Sequence, residues 1–208
     1  MASRSKSSDR WLRRQRKDPF AQAARDSGQV SRAHFKLEEL DRRFALLERG
    51  QRVLELGAAP GGWTAYIESR IDNGKLIVID DRPVTCGPQT HWIEGLYGSS
   101  EVDEALDALC ADAGLNVVLS DMAPNMSGIK VADQARAMEL AEYAEEAALK
   151  YLQPDGALVV KLFQGAGVDG WLASLRGHFS KVRSVKPKAS RSESREVYAV
   201  AQGFHGVS

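Results

Sequence analysis

At 208 residues the chain is long enough to bury one good core and too short to expect two domains. Its 43% hydrophobic and 27% charged residues are ordinary for a soluble globular protein, and no apolar run approaches the ~20 residues that a membrane helix needs. The 28 basic and 28 acidic residues cancel, which excludes a uniformly charged chain but conceals a segregation. Residues 4–17 carry Arg4, Lys6, Arg10, Arg13, Arg14, Arg16 and Lys17 against Asp9 alone, and a second basic stretch runs Lys181, Arg183, Lys186, Lys188, Arg191, Arg195. Two such stretches suggest a positive face for a polyanion, although a solvated tail and a charged loop have the same composition.

The opening Met-Ala-Ser-Arg-Ser-Lys has no apolar segment behind it, so no secretory signal is expected and the expected location is the cytoplasm. Cys86 and Cys110 have no metal or redox spacing and read as reduced thiols. The four histidines are scattered singly, so no metal site is expected.

In chain order, residues 1–27 read as a basic, flexible arm and 28–204 as a single domain. Ser31 is a plausible helix cap, followed by Phe35, Leu37, Leu40, Phe44 and Leu47 at helical spacing up to Gly50. Arg52–Leu56 is a short apolar run entering a glycine-rich turn, the pattern of a buried parallel strand. A helix is expected from Gly62 to Ile71, then strands at Lys75–Ile79 and His91–Glu94, a helix at Val102–Ala111 and a strand at Asn116–Ser120. A long helix follows over Ala132–Leu152, stopped by Pro154-Asp155-Gly156; Ala157–Leu162 is a strand, Val168–Leu175 a helix, and Val182–Val185 and Glu196–Ala201 are late strands. Alternation at this spacing predicts an α/β fold with a mostly parallel sheet. Its ligands would bind beyond the carboxyl ends of the strands.

Those ends carry the chemistry. After the first strand stands Gly57-Ala58-Ala59-Pro60-Gly61-Gly62-Trp63, which lacks the Gly-x-Gly-x-x-Gly spacing of a pyrophosphate loop. A stiffer loop suits a ligand without phosphates, such as the methionine half of S-adenosylmethionine; a plain strand-to-helix turn has the same ingredients. Asp80, about twenty residues on, stands where a carboxylate accepts from a ribose diol in nucleotide-binding folds, or simply caps a turn. The third end is Ser120-Asp121-Met122-Ala123-Pro124, unlike the Asp/Asn-Pro-Pro-aromatic run common in amino-group methyltransferases. Lys161 closes an apolar strand, which makes it a functional candidate or a lysine snorkelling to the sheet rim.

These stretches, with Phe35-Lys36-Leu37, Val160-Lys161-Leu162-Phe163-Gln164-Gly165 and Ser194-Arg195-Glu196-Val197-Tyr198, closely resemble the FtsJ/RrmJ (RlmE) family of 23S ribosomal RNA uridine 2′-O-methyltransferases over roughly residues 10–202. The resemblance implies a single-domain, Rossmann-like S-adenosylmethionine-dependent methyltransferase with a seven-stranded, mostly parallel sheet, helices on both faces and the last strand antiparallel. It implies a catalytic tetrad of Lys36, Asp121, Lys161 and Glu196, with Lys161 as proton acceptor, and a cofactor site lined by Gly61, Trp63, Asp80 and Asp121. The residues alone leave Lys161 two roles, a neutral base or a protonated group that steadies the oxygen. The implied partner is ribosomal RNA or the large subunit, met by a monomer; transfer RNA or another RNA is the alternative substrate. One departure stands out: the family usually places an acid after the third strand to hold the adenine amino group, and this chain has Gly95-Leu96-Tyr97.

Overall fold

The computed structural model describes residues 32–206. Among them the elements run α1 (Ala33–Phe44), β1 (Arg52–Leu56), α2 (Thr64–Ile71), β2 (Lys75–Asp80), β3 (Thr90–Glu94), α3 (Ser100–Cys110), β4 (Leu115–Ser120), α4 (Lys130–Tyr151), β5 (Leu152–Phe163), α5 (Val168–Leu175), β6 (Phe179–Val185) and β7 (Glu196–Phe204). The expected basic arm, and Ser31 as a helix cap, lie outside the described residues.

The seven strands form one sheet in the order β3-β2-β1-β4-β5-β7-β6. Ladders from β3 through β5 are parallel, and β7 runs antiparallel to both β5 and β6. Because side chains alternate across a pleat, each central strand supplies both faces. Leu54, Leu56, Ile77, Val118 and Val160 pack against α3, α4 and α5. Val53, Val78, Leu119, Val159 and Val200 pack against α1 and α2. This explains why the central strands read as continuous apolar runs. The sheet order reverses between β1 and β4, so a crevice opens there at the carboxyl edge.

Several boundaries shift from the sequence expectation, with β6 starting at Phe179 and β7 running on to Phe204, and two of the shifts have a clear physical cause. The first helix stops at Phe44 rather than running on towards Gly50. The Asp41 carboxylate accepts hydrogen bonds from the backbone N–H groups of Leu46 (2.9 Å) and Leu47 (2.8 Å). Ala45 turns left-handed with φ 49°, so Leu47 enters the core from an irregular segment. The Pro154–Gly156 turn is absorbed into β5: Leu115 pairs with Leu152 and Val117 with Ala157, a bulge with three extra residues on the β5 side.

Candidate active site

The crevice at the ends of β1 and β4 is lined among others by Leu56, Gly57, Asp80, Leu96, Met122 and Leu140. Gly57 has φ +74°, and a Cβ there would come within 2.8 Å of the Met122 side chain, so only glycine lets the β1 and β4 loops close this floor. Asp80 is buried, and its Oδ2 accepts from the Ala59 N–H at 2.8 Å while Oδ1 accepts from the Arg82 N–H at 3.0 Å. It therefore holds the glycine-rich loop in shape while facing the cleft.

Leu96 stands 65% exposed at the cleft, next to Tyr97. Asp80 and Asp81 are the acidic residues lining it, among the described residues; Glu94 and Glu101 are not among them. The expected cofactor residues Gly61 and Trp63 sit in the same loop but off the cleft wall. A Cβ on Gly61 would lie 2.3 Å from the Thr85 carbonyl oxygen. The Trp63 indole is buried, donates from Nε1 to the Ala33 carbonyl at 2.8 Å, and packs on the Tyr198 ring with centroids 5.7 Å apart. Its side chain thus docks α1 on the sheet.

The expected tetrad comes together. Lys36, on α1, is paired with Glu196 at 2.7 Å. Lys161, at the end of β5, lies 3.2 Å from the Asp121 Oδ1 and also donates to the Asp121 backbone carbonyl. Tyr198 joins the two pairs: its hydroxyl donates to Asp121 Oδ1 at 2.7 Å and accepts from Lys36 Nζ at 3.4 Å. Burial first, then the Asp121 charge, pushes the Tyr198 phenol well above its ordinary value, so it stays protonated and remains a donor. Lys161 and Tyr198 are direct ladder partners, and Glu196, two residues back on β7, shares their face.

Sequence reasoning passed over Tyr198. Its signal was the two-residue step from Glu196, which puts both on one face of a strand. Three further groups were missed. Ser190 Oγ donates to Glu196 Oε1 at 2.7 Å, fixing that carboxylate from the basic 186–195 loop. Glu55 is fully enclosed on β1, accepts from Thr64 Oγ1 at 2.7 Å, and has its pKa raised to about 8 chiefly by burial. Asp133, in the first turn of α4, accepts from the Ser127 N–H (2.7 Å), the Ser127 hydroxyl (2.7 Å) and the Gly128 N–H (3.0 Å). Those bonds, the hydroxyl's first, hold its pKa below the usual value and tie down the loop that follows Asp121.

The FtsJ-like methyltransferase family model matches residues 29–204. This chain belongs to that family. Curated relatives agree along the whole length: ribosomal RNA large subunit methyltransferase E of Xanthomonas oryzae pv. oryzae is 45% identical, covering 98% of this chain and 97% of the relative. The protein of the same name from Stenotrophomonas maltophilia is 44% identical over the same shares. Among solved structures, one described as a ribosomal RNA methyltransferase from Plasmodium falciparum is 30% identical with a TM-score of 0.77, covering 85% of this chain and 98% of that one. The resemblance drawn from the motifs therefore holds, as does the Rossmann-like fold it implied, and the FtsJ-like chain is a methyltransferase.

Proposed function

We propose that this methyltransferase uses S-adenosylmethionine to methylate the 2′-hydroxyl of a uridine ribose in 23S, large-subunit ribosomal RNA, during ribosome maturation in the cytoplasm. The observation that carries the reading is the unbroken contact path from Lys36 and Glu196 through Tyr198 to Asp121 and Lys161, in steps of 2.7 to 3.4 Å. It stands at the carboxyl edge of the sheet, where the crevice opens. The full-length relatives that carry a large-subunit methyltransferase name support the substrate class.

The crevice has a donor set that fits the cofactor. Asp80 supplies a carboxylate for ribose hydroxyls, and Leu96, Met122 and Leu140 offer an apolar wall to a flat ring. Gly61 and Trp63 contribute through the shape of their loop, and Asp121 stands just past the end of β4, next to Met122 and Ala123 of the crevice lining. When bound, S-adenosylmethionine supplies a methyl group that is already electrophilic.

The chain's own work is alignment and proton removal. Lys161 Nζ, entering the step as the neutral amine after giving its resting proton to solvent, receives the proton of the ribose hydroxyl, and Asp121 holds that nitrogen and offsets the charge gathering on it. Lys36, fixed by Glu196, sets a second positive group beside the developing oxyanion. The exposed cations of 181–195, together with the basic arm at 1–27, grip RNA backbone and position it without reading sequence. Residues 28–204 make up the catalytic domain.

The test is direct. Purified protein with labelled cofactor should methylate large subunits, or their RNA, from cells lacking the protein, and alkaline digestion should leave label in resistant dinucleotides containing uridine. Label on a base, or on transfer RNA alone, overturns the reading.

A further inference from the structure

A second hollow opens beside the tetrad. It lies between the start of α4 and the loop after β5. Val131, Ala135, Met138 and Ala166 form an apolar wall, with Lys130 and Arg195 at its rim. No acidic side chain lines it among the described residues. Val131 is 81% exposed, and with Met126 and Ile129, at 56% and 65%, it forms an uncovered apolar patch on the segment leading from Asp121 into α4.

The hollow has a firm floor. Gln134 Nε2 donates to the carbonyls of Phe163 (3.1 Å) and Ala166 (3.2 Å), clamping the β5 exit loop onto α4. Its Oε1 lies against Gly165, where a Cβ would come within 2.4 Å of it, so the chain presents bare backbone at this point. The rim is tied to the chemistry. Arg195 directly precedes Glu196, and its carbonyl accepts from the Gln164 N–H at 2.9 Å. Gly165 is four residues beyond Lys161, which limits their separation to about 14 Å even for a fully extended chain.

We propose that this hollow receives a nucleobase of the RNA strand next to the methylated ribose. The assignment rests on the ribosomal RNA reading above. A single-stranded nucleotide offers an apolar face and a charged backbone, and the hollow offers the complement: a flat apolar wall within a cationic rim. An acidic protein segment would find the cations but would leave the apolar wall uncovered. Seating a neighbouring base here anchors the strand on one side of the target, so the ribose is presented to Lys161 in one orientation.

The experiment uses the full chain with large subunits, or their RNA, from cells lacking the protein. Val131→Asp and Ala135→Glu alter exposed side chains of the hollow outside both the catalytic network and the cations that meet RNA backbone, so folding and cofactor affinity should match wild type. Each should raise KM for RNA roughly tenfold, while kcat stays within about twofold. A benzophenone amino acid at position 131 should crosslink to a nucleotide adjacent to the methylated ribose. An unchanged KM in both variants, or a crosslink to a ribosomal protein or to remote RNA, overturns the proposal. If the wild type methylates no ribosomal RNA, the functional reading fails first; if it does and the variants match it, only the nucleobase site fails.

Discussion

Glu55 offers a quantitative test of how the β1 strand is built. Its carboxyl is enclosed between β1 and α2 with one donor, Thr64 Oγ1, and with Asp121, Glu68 and Asp80 adding negative charge around it. Its pKa rises from 4.5 to about 8, burial being the main cause. Between those values the folded chain keeps a proton that the unfolded chain releases, so stability falls as pH rises through that window and levels off above it. The gap corresponds to roughly 5 kcal/mol above pH ~8, and to about 3 kcal/mol near pH 7. Glu55→Gln keeps the shape and the acceptor for Thr64 but carries no proton to lose. It adds one buried N–H, which costs about 1–3 kcal/mol if unpaired. The variant should therefore equal or trail wild type near pH ~5.5 and exceed it by roughly 2–4 kcal/mol near pH ~8.5. Urea unfolding followed by tryptophan fluorescence reads this, because subtracting the two proteins cancels every other titrating group. A wild type–variant difference that stays constant across the range, or that moves in favour of wild type as pH rises, refutes the reasoning.

Three further outcomes test the site. Lys161→Ala should lower kcat by about 10²–10⁴ while calorimetric cofactor affinity stays near wild type, since the lysine serves the hydroxyl; near-normal turnover would show that proton removal lies elsewhere. Tyr198→Phe removes the hydroxyl between Asp121 and Lys36 and leaves the ring on Trp63, so kcat should fall about three- to tenfold with the unfolding midpoint little changed. An unaltered kcat would mean that the two ion pairs act independently. Leu96→Asp places an acid at an exposed position on the cleft wall and should tighten cofactor binding by up to about tenfold by titration calorimetry; no gain would mean that repulsion from Asp80 and Asp81 outweighs the new hydrogen bond.

How much was legible in the sequence follows from where each signal resides. The runs at 52–56, 75–80 and 115–120 could be read because strands buried on both faces must be apolar throughout. The end of α1 could not, because Leu47 keeps helical spacing while the Asp41 side chain captures the two backbone N–H groups that would extend the helix. The bulge before Ala157 was hidden for a similar reason: a Pro-Asp-Gly run signals a turn but not that the turn will be drawn into the edge of a ladder. At the site, Asp121 and Lys161 stood out because charged groups at the ends of apolar strands are expensive unless used, whereas Lys36, on a helix, and Glu196, at the start of a strand, came only with the family resemblance. Trp63 was legible as a motif but not in its contacts, since an aromatic residue closing a glycine-rich loop can face a ligand or the core. Here it faces the core.

The network is assembled by two mechanisms of unequal stiffness. Asp121, Lys161, Tyr198 and Glu196 stand on or beside β4, β5 and β7, whose mutual registers are set by backbone ladders, with Ser120 opposite Val160, Lys161 opposite Tyr198 and Phe163 opposite Glu196. Lys36 has no such ladder. Its place depends on the docking of α1, whose ties include Trp63 Nε1 on the Ala33 carbonyl, Arg32 on the Ala189 carbonyl, Glu39 on the Lys188 N–H, Tyr66 and Arg70 on the Asp41 carboxylate, and Gln202 on the Phe44 carbonyl. Two of those ties, Arg32 and Glu39, run to the basic 186–195 loop, and the same loop fixes Glu196 through Ser190. The loop proposed to meet RNA backbone is thus the one that sets the Lys36–Glu196 pair, whereas the Lys161–Asp121 pair belongs to the sheet. Because Ser190 of that loop holds the Glu196 carboxylate, an adjustment of the loop on a polyanion is felt at the Lys36–Glu196 pair. Substrate engagement and catalytic alignment are therefore mechanically joined on the α1 side through the 186–195 loop, and on the β5 side through the paired Gln164–Arg195 hydrogen bonds just past the strand.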